Sequence, residues 1–396
     1  MPRAVCAKLI GTMICEAAFT SFRKNLTGWF HEYRRDLPWR RTKDPYRIWL
    51  SEVMLQQTRV AVVIPFYERF LERFPTAQEL ADAPEQEVLR LWAGLGYYSR
   101  ARNLQKAARQ IVADHGGRFP DGREETLKLA GIGDYTSAAV LSIAYGKPLA
   151  VLDGNVARVL ARIAGMRGDL RAGGRWQKLQ HWADELLDPA DPGEWNEAMM
   201  ELGATVCTPR SPQCLVCPVA EFCAARMEGS TEAIPEKRKK SQRVDITLAA
   251  LVLVDARQFT LLLQPPKSKA DLRTNYDVTG LLSRMWHFPT IRVRRDAARE
   301  LSHFVRRQIY GGRAIQPKLL AVREVRHTVT YRSITVEAFR MEVKKLPSLP
   351  GARKLPLCDL GSVPISNLTR KVAQAALLPT AKESQVLPNH SPVLRF

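Results

Sequence analysis

The sequence predicts a multi-domain protein in which an all-α domain is followed by an α+β domain. Three observations predict this fold class. Apolar residues recur at three- and four-residue spacing up to residue 229, β-rich segments begin only at residue 246, and a polar stretch separates the two regions. The length of 396 residues also exceeds that of a typical single domain, so we expect two hydrophobic cores.

Residues 1–21 form an N-terminal extension, which we expect to be disordered. Its apolar stretch, Leu9–Phe19, is interrupted by Cys15 and Glu16, which argues against a signal peptide. An overlong start, with Met13 as an alternative first residue, is the other interpretation. No apolar run in the sequence reaches the roughly 20 residues that span a bilayer, so we expect no membrane association.

Residues 22–229 form the predicted all-α domain. Helical periodicity is clearest in four segments, Tyr46–Phe74, Ala83–Ala93, Ser99–His115 and Trp176–Leu187. Helix breakers separate these segments, and Phe74-Pro75, Gly116-Gly117 and Asp188-Pro189 are examples. The pattern therefore favours several helices joined by short turns.

Residues 230–245 form the predicted linker, residues 246–376 the α+β domain, and residues 377–396 a polar tail. The basic run Lys237–Lys240 in the linker either contacts phosphates or is a solvated tether. Asp296–Ile309 has the pattern of one amphipathic helix. The β-rich segments of this region are Ile246–Val254, Phe259–Leu263, Leu319–Val325 and Ser333–Val343.

The charge balance is strongly basic, with 60 Lys and Arg against 40 Asp and Glu and a formal net charge of +20. Such a surface attracts polyanions at long range, and nucleic acid is one of them. A basic protein without a nucleic-acid partner is the alternative, and charge alone does not choose between the two.

The seven cysteines include four that crowd into residues 207–223, with the spacing C-x6-C-x2-C-x5-C. Four thiolates this close together can surround one tetrahedral ion or one iron–sulfur cluster, because prolines between them turn the chain. An odd number of cysteines with one tight cluster is not typical of a secreted disulfide framework. It indicates a metal or iron–sulfur site in a reducing compartment. Ligand type alone leaves zinc and iron–sulfur both open. The four residues are Cys207, Cys214, Cys217 and Cys223.

A glycine pair, Gly131 and Gly133, lies between two helical stretches in the segment Leu129–Ser137. Closely spaced glycines allow a sharp turn that exposes backbone N–H groups, and the following helix, near Tyr135, adds its positive end. The pattern is typical of a phosphate-binding turn. Many ordinary helix–turn–helix packings use the same glycines, so the pattern alone is weak.

Two carboxylates, Glu52 and Asp153, are candidates for chemistry on an N-glycosidic bond. That reaction needs a proton donor for the leaving base and an anion near the developing oxocarbenium ion. Glu52 has apolar neighbours, so we expect its pKa to be raised. The alternatives are a surface or capping glutamate for Glu52 and an ordinary helix N-cap for Asp153.

Four segments resemble the MutY family of adenine DNA glycosylases, which belongs to the endonuclease III superfamily. They are the cysteine spacing, the hairpin LAGIGDYTS at 129–137, VLDGNVARV at 151–159 and SEVMLQQT at 51–58. The resemblance implies an all-α helix-hairpin-helix glycosylase domain with a [4Fe–4S] cluster on the four cysteines. Ala130 departs from the family pattern, which has proline there.

The resemblance also implies roles for individual residues. Glu52 protonates adenine, Asp153 stabilises the sugar cation, and Tyr135 and Asn155 support both. Bifunctional relatives carry a lysine where this chain has Tyr135, so the enzyme is expected to be monofunctional. The implied adenine pocket comprises Trp39, Arg40, Leu55 and Glu197. The implied DNA contacts are Gln57, Thr58, Leu95, Tyr97, Gly131, Gly133 and Thr330.

The second domain resembles the MutT-like, or Nudix-like, C-terminal domain of the same family. Its candidate Nudix helix, Asp296–Ile309, contains only one glutamate, Glu300, which argues against pyrophosphatase activity. In the family, a loop with the sequence F-S-H reads the oxidised guanine. The matching positions here are Val329, Thr330 and Tyr331, so only the hydroxyl of the middle residue is kept.

The resemblance extends over residues 26–375 and implies excision of adenine paired with 8-oxoguanine or guanine in double-stranded DNA, by base flipping. We expect a monomer in the bacterial cytoplasm, associated with the nucleoid. Two alternatives stay open, an endonuclease III-like glycosylase and AP lyase, and a non-enzymatic lesion-binding module.

Overall fold

A computed structural model describes most of the chain. The described residues are 16–236, 243–264, 285–312, 315–329 and 331–377. The predictions for residues 1–15, for Lys237–Lys240, for Thr330 and for the tail beyond Leu377 therefore lie outside the described residues.

Contacts among the described residues divide the chain into two compact units. The first comprises Met1–Asp82 and Arg102–Lys239, and the second comprises Ala83–Ala101 and Lys240–Phe396. The segment Ala83–Ala101, which the sequence places inside the all-α domain, thus packs with the second unit. The chain leaves the first unit and returns to it before the cysteine loop.

The region up to Met227 is helical throughout its described residues, with short 3₁₀ turns at Pro38–Arg41, Cys214–Val216 and Ala220–Phe222. No described helix is long and apolar enough to cross a bilayer. The helices, in chain order, are α1 (Glu16–Tyr33), α2 (Pro45–Leu55), α3 (Val60–Arg73), α4 (Ala77–Asp82), α5 (Glu85–Trp92), α6 (Ser99–His115), α7 (Arg123–Lys128), α8 (Asp134–Tyr145), α9 (Gly154–Ile163), α10 (Arg175–Leu186), α11 (Pro192–Thr205) and α12 (Ala224–Met227).

Local sequence signals fix where several helices begin. Asp44 caps α2 by accepting a hydrogen bond from the Tyr46 backbone N–H at 2.9 Å, and a proline occupies the first turn. Asp191 caps α11 in the same way, again with a proline after it. The predicted helical segment Tyr46–Phe74 is two helices, since the chain turns after α2 and Gln57 adopts a left-handed φ of 58°.

The core of the first unit forms where α8 packs against α2 and α11, while α11 also packs against α9. The close approach of α11 to α9 depends on Gly203. A Cβ at that position would lie 2.8 Å from the Cβ of Asn155, so no larger residue fits without a shift. This packing holds α2, α8, α9 and the face of α11 around one cleft.

The second unit contains a mixed sheet. Strands β1 (Val244–Asp255) and β6 (Arg332–Val343) pair in parallel along their whole length. β3 (Thr290–Arg292) flanks β1, and β4 (Leu320–Ala321) and β5 (Val325–Val329) flank β6, all antiparallel. β2 (Phe259–Leu263) and β7 (Ala352–Pro356) form a separate antiparallel pair.

Both faces of this sheet are buried, which is why β1 is apolar at consecutive positions rather than alternating ones. Leu248, Ala250 and Val252 lie in a core with helix α14 (Asn367–Leu377). Residues of the opposite parity lie in a second core with helix α13 (Ala297–Phe304). The α+β prediction for this region is confirmed to the level of a mixed sheet with helices.

Two predicted elements differ in detail. The helix predicted over Asp296–Ile309 is capped by Asp296 and continues after Phe304 as a π-helical turn, Val305–Ile309. The β-rich segment Leu319–Val325 is not one strand, because pairing stops after Ala321 and resumes at Val325. The two flanking strands, β4 and β5, instead pair with different parts of β6.

Side-chain hydrogen bonds attach Ala83–Ala101 to the second unit. The indole N–H of Trp286 donates to Oε1 of Gln86 at 3.1 Å, and the amide of Asn367 donates to the Gly94 carbonyl at 3.3 Å. Helix α5 and the glycine-containing loop after it are therefore held by residues that are 200 and 273 positions away in sequence.

Candidate active site

One cleft of about 630 Å³ in the first unit brings the predicted catalytic and pocket residues together. Its walls come from the turn Pro38–Arg41 and from α2, α8, α9 and α11. The predicted residues that line it are Trp39, Arg40, Glu52, Leu55, Gln57, Thr58, Tyr135, Asp153, Asn155 and Glu197.

Glu52 lies on α2 with only 5% of its surface exposed. Burial raises the pKa of its carboxyl group to about 7, and the nearby charges of Asp153 and Glu197 add to this effect. The Tyr135 hydroxyl donates a 2.6 Å hydrogen bond to Oε2 of Glu52, which lowers the pKa. The group therefore titrates near neutral pH, as a general acid requires.

Asp153 is the N-cap of α9. Its Oδ1 accepts hydrogen bonds from the backbone N–H groups of Asn155 at 2.8 Å and Val156 at 2.7 Å. Burial raises the pKa of Asp153, while these two bonds lower it. The capping interpretation of this residue is therefore correct, and the same carboxylate also faces the cleft.

Asn155 is fixed by Arg158, one turn later on α9. The guanidinium group of Arg158 donates to Oδ1 of Asn155 at 3.0 Å, to the Gly203 carbonyl at 2.8 Å and to the Cys207 carbonyl at 2.9 Å. Arg158 is 7% exposed, and burial lowers its pKa. The position of Asn155 in the cleft thus depends on the backbone that leads into the cysteine loop.

The cleft contains an ion-pair network that the sequence analysis missed. Glu201, 1% exposed, accepts two 2.7 Å hydrogen bonds from Arg35 and one of 2.9 Å from Arg40. These bonds outweigh burial and lower the pKa of Glu201 to about 2. The available signal was spacing, because Glu197 and Glu201 are four residues apart and share one face of α11.

Arg40 links the two glutamates of α11. Its Nε lies 3.4 Å from Oε1 of Glu197, while its NH2 group bonds Glu201. Burial raises the pKa of Glu197, and Arg40 lowers it. One side of the cleft is therefore lined by charged groups that are paired with one another within the protein.

Tyr135 occupies the position at which bifunctional relatives carry lysine. Its hydroxyl lies 3.2 Å from Sδ of Met200 in addition to its bond with Glu52, and burial raises its pKa well above 10. Among the described residues that line the cleft, none is a lysine. Lys128 and Lys147, both near the hairpin in sequence, are not among its walls.

The four clustered cysteines surround a second, smaller cavity. The described residues contain no group of three or more His, Cys, Asp or Glu arranged to hold a metal ion. The donor set nevertheless fits an iron–sulfur cluster, since four thiols face one space and the Arg162 guanidinium lies 3.3 Å from Sγ of Cys207. A cationic donor beside sulfur stabilises the thiolate form that a cluster requires.

The predicted phosphate-binding turn has the expected geometry. Gly131 has a left-handed φ of 80°, and both Gly131 and Gly133 are exposed immediately before α8. Asp134, whose charge is unfavourable near a phosphate, is paired with Arg123 at 2.8 Å. The positive charge of Arg123 offsets part of that repulsion.

The other predicted DNA contacts differ in exposure. Gln57 and Tyr97 are exposed and both adopt left-handed backbone conformations, with φ of 58° and 47°. Thr58 is half-buried, and Leu95 is buried at 6% exposure. The loop of Leu95 and Tyr97 belongs to the second unit.

The predicted lesion-reading segment forms a tight hairpin. Val329 pairs with Arg332, and Tyr331 lies at the tip of the hairpin between β5 and β6. Tyr331 is 45% exposed, with the Arg332 guanidinium 5.3 Å from its ring centroid. Thr330 lies outside the described residues.

Comparison with known proteins first establishes the class. Residues 50–183 match the HhH-GPD superfamily of base excision DNA repair proteins. The matched range includes both candidate carboxylates and the glycine hairpin. Residues 207–223 match the iron–sulfur binding domain of endonuclease III, from the first to the last of the four cysteines. These matches define a base-excision glycosylase of the helix-hairpin-helix class.

The particular family follows from two relatives of known activity. The adenine DNA glycosylase of Homo sapiens is 35% identical over 404 residues, which cover 90% of this chain and 74% of the human protein. That of Buchnera aphidicola subsp. Schizaphis graminum is 37% identical over 220 residues, 55% of this chain and 63% of its own. The chain belongs to the adenine DNA glycosylase family.

A solved structure of a thermostable thymine-DNA glycosylase is 31% identical, with a TM-score of 0.49, and covers 53% of this chain and 97% of its own.

Family membership confirms the predicted enzyme class, a hydrolase of N-glycosidic bonds. It also confirms the [4Fe–4S] cofactor and sets aside zinc.

Proposed function

We propose that this chain is a monofunctional glycosylase that excises adenine paired with 8-oxoguanine or guanine in double-stranded DNA. The observation that carries the proposal is the pair of carboxyl groups in one cleft, the buried Glu52 with a pKa of about 7 and the half-buried Asp153 at the N-terminus of α9. Their environments suit one to donate a proton and the other to remain an anion.

In the proposed reaction the adenine nucleotide rotates out of the duplex and its base enters the cleft. Glu52 transfers its proton to a ring nitrogen of adenine, so the base leaves as a neutral molecule. Asp153 stabilises the positive charge that develops on the sugar, and water then completes the hydrolysis. Tyr135 orients Glu52, and Asn155 supports Asp153.

The competing glycosylase and lyase activity needs an amine that attacks the sugar. The hydroxyl of Tyr135 cannot form a Schiff base, and its hydrogen bond to Glu52 gives it a different task. The non-enzymatic alternative is disfavoured because a lesion-binding module has no use for a buried carboxyl group with a pKa near neutrality.

We assign recognition of the oxidised guanine to the second unit, which resembles a MutT-like domain. The assignment rests on the hairpin between β5 and β6, whose exposed tip carries Tyr331 and includes the position of Thr330. Gln57, Thr58 and Tyr97 are proposed to contact the DNA stack, and the Gly131–Gly133 turn and the cluster loop to contact the backbone.

We further propose that the enzyme acts as a monomer on chromosomal DNA in the bacterial cytoplasm. A net charge of +20 suits a DNA ligand, and thiols that hold an iron–sulfur cluster suit a reducing compartment. The [4Fe–4S] cluster ties the loop of four cysteines into one rigid unit when it is bound.

One assay separates the three functions. The purified holoenzyme is incubated with duplexes that contain A:8-oxoguanine, A:G, thymine glycol or no lesion, and strands are analysed with and without alkali. The proposal expects adenine release from the first two, with strand breaks only after alkali. Breaks without alkali at thymine glycol would instead support the lyase, and specific binding without base release would support a lesion-binding module.

A further inference from the structure

We propose that Arg294, Arg295 and Arg299 of the second unit form a binding face for the phosphate backbone of duplex DNA beside the β5–β6 hairpin. The proposal rests on the proposed function and extends it, because it names the residues with which the second unit binds phosphates near the oxidised guanine. The sequence analysis did not single out these residues.

The arginines lie in a segment of unusual charge. Residues 292–307 contain six arginines, all exposed, and only two acidic residues, Asp296 and Glu300. The six are Arg292, Arg294, Arg295, Arg299, Arg306 and Arg307.

Both acidic side chains are committed to the backbone. Oδ1 of Asp296 accepts from the Arg299 N–H at 3.0 Å, which caps α13. Oε1 of Glu300 accepts from the N–H groups of Arg294 at 3.2 Å and Arg295 at 3.0 Å. The acids thus fix the backbone of the arginine loop, and none of the three guanidinium groups forms an ion pair with any described residue.

The helix keeps these charges on its outer side. Ala297, Leu301 and Phe304 of α13 are buried in the core against the sheet. Arg299 and His303, four residues apart, lie on the exposed face. The exposed helical face and a loop whose backbone is hydrogen-bonded to Asp296 and Glu300 therefore present cationic side chains outward. A backbone ordered before binding loses less entropy when an anion binds.

Sheet register places the arginine loop at the same end as the hairpin tip. β3 runs antiparallel to β1, with Arg292 opposite Leu248, and its continuation bonds the Thr247 carbonyl, so Arg294 follows toward the start of β1. β6 begins opposite that same start, with Arg332 paired to Val244. The two features therefore share one end of the sheet.

The separation matches the dimensions of DNA. β3 and β6 are both neighbours of β1, so about 10 Å separates them across the sheet. A major groove is about 12 Å wide, with a row of phosphates on each side. When the hairpin tip points at a base edge, the arginine loop lies at the distance of a bordering phosphate row, which guanidinium groups bind with paired hydrogen bonds.

Counterion release tests the proposal without any dependence on base excision. The full-length holoenzyme and its Arg294→Gln, Arg295→Gln, Arg299→Gln triple variant are titrated with undamaged duplex and with A:8-oxoguanine duplex at several salt concentrations. Each lost phosphate contact should reduce the magnitude of the slope of log affinity against log salt by about 0.9. The slope of the triple variant should therefore be smaller by roughly 2 to 3. The variant should also bind about 10- to 100-fold more weakly at moderate salt.

The matched control removes the same charge at the opposite end of the sheet. Asp255 pairs with Val343 there, and the exposed Arg257, Lys344 and Lys345 follow those two residues. Their triple change to Gln should leave the slope nearly unaltered. An equal loss of slope in both triple variants, or no loss in the arginine variant, would overturn the proposal and leave the segment as a solvated face or a contact for an acidic protein.

A second experiment locates the contact. Neutral methylphosphonates replace single phosphates within half a turn of 8-oxoguanine, and each duplex is tested with the wild type and the arginine variant. At a contacted phosphate the two changes together should weaken binding less than the product of their separate effects. Independent effects at every phosphate would contradict the proposal even if adenine excision were confirmed, and coupling would support it even if excision were not.

Discussion

The Tyr135 hydroxyl donates a 2.6 Å hydrogen bond to Oε2 of Glu52, the carboxyl group whose pKa burial raises to about 7. Because the bond stabilises the ionised form of Glu52, it opposes burial and holds the pKa below the value that burial alone would give. The relationship therefore sets the upper limit of the pH range in which Glu52 carries a proton. Several properties of the enzyme depend on that range.

Substitution Tyr135→Phe should move the alkaline limb of the pH–rate profile to higher pH. In the proposed reaction excision requires protonated Glu52, so the single-turnover rate should fall as pH rises through the pKa of about 7. Loss of the hydroxyl raises that pKa, and the fall begins later. Rates for both enzymes between pH 5 and 9 provide the measurement. An unmoved limb would mean that another group controls the profile.

Substitution Tyr135→Lys should introduce covalent chemistry. An amine at this position can attack the sugar, and borohydride reduces the resulting Schiff base to a stable protein–DNA adduct. We expect little trapping with the wild type and measurable trapping with the variant, although loss of the hydrogen bond to Glu52 slows base release. Efficient trapping of the wild type would move the assignment to the bifunctional class.

Substitutions at Asp153 separate its two roles. Asn caps helices about as well as Asp, so Asp153→Asn should preserve stability while it removes the charge that faces the oxocarbenium ion. Excision should fall by roughly two to four orders of magnitude. Asp153→Ala should lose the same activity and also about 1 kcal/mol of stability. Near-normal excision by Asp153→Asn would leave the residue with a capping role alone.

Substitution Glu52→Gln should reduce excision by a similar factor, since an amide cannot donate the proton, but it should make the protein more stable above neutral pH. The folded pKa of about 7 exceeds the ordinary 4.5, so the stability from Glu52 is complete below pH 4.5 and is lost as pH rises through 7. The loss amounts to at most about 3 kcal/mol. Melting temperatures of both proteins at pH 5 and pH 8 measure it.

The contrary result is equally specific. The difference in melting temperature between Glu52→Gln and the wild type could instead be the same at pH 5 and at pH 8. The carboxyl group would then titrate near its ordinary pKa. The pH–rate profile would then have to arise elsewhere. Stabilisation of the inactive variant at high pH would instead show that the site holds an acidic group at the expense of stability, as active sites commonly do.

The residues that sequence alone identifies are those whose signals are local. Short sequence motifs contain Glu52, Asp153 and the four cysteines, and each motif can be recognised from a few neighbouring residues. Glu201 was missed because its partners, Arg35 and Arg40, lie 166 and 161 residues away, and its spacing from Glu197 does not indicate which residues pair with it.

The division of the chain into units shows the same limit on a larger scale. Periodicity predicted helix α5 close to its observed bounds, but it could not indicate which core the helix joins. That choice depends on hydrogen bonds such as Trp286 to Gln86, 200 residues apart. A fragment that ends near Gly229 would therefore leave α5 without its partners, and point substitutions test the second unit more cleanly.

The hairpin tip offers such a test of lesion recognition. If Thr330 reads the oxidised guanine, Thr330→Val should lower the preference for A:8-oxoguanine over A:G, because one or two hydrogen bonds to the lesion contribute about 1–3 kcal/mol, or roughly 5- to 150-fold. Thr328→Val is the matched control, since Thr328 lies in β5 paired with Ser333, two positions from the tip. Tyr331→Phe and Tyr331→Ala then separate the hydroxyl from the exposed ring.

Single-turnover rates on the two duplexes give the preference directly. Loss in Thr330→Val alone supports the alignment with the family's F-S-H loop, and loss in Thr328→Val alone shifts it by two residues. Loss in Tyr331→Ala but not Tyr331→Phe assigns recognition to stacking rather than to hydrogen bonding. An unchanged preference in all four variants would remove the hairpin from lesion recognition, because no polar group or ring at the tip would then distinguish the two bases.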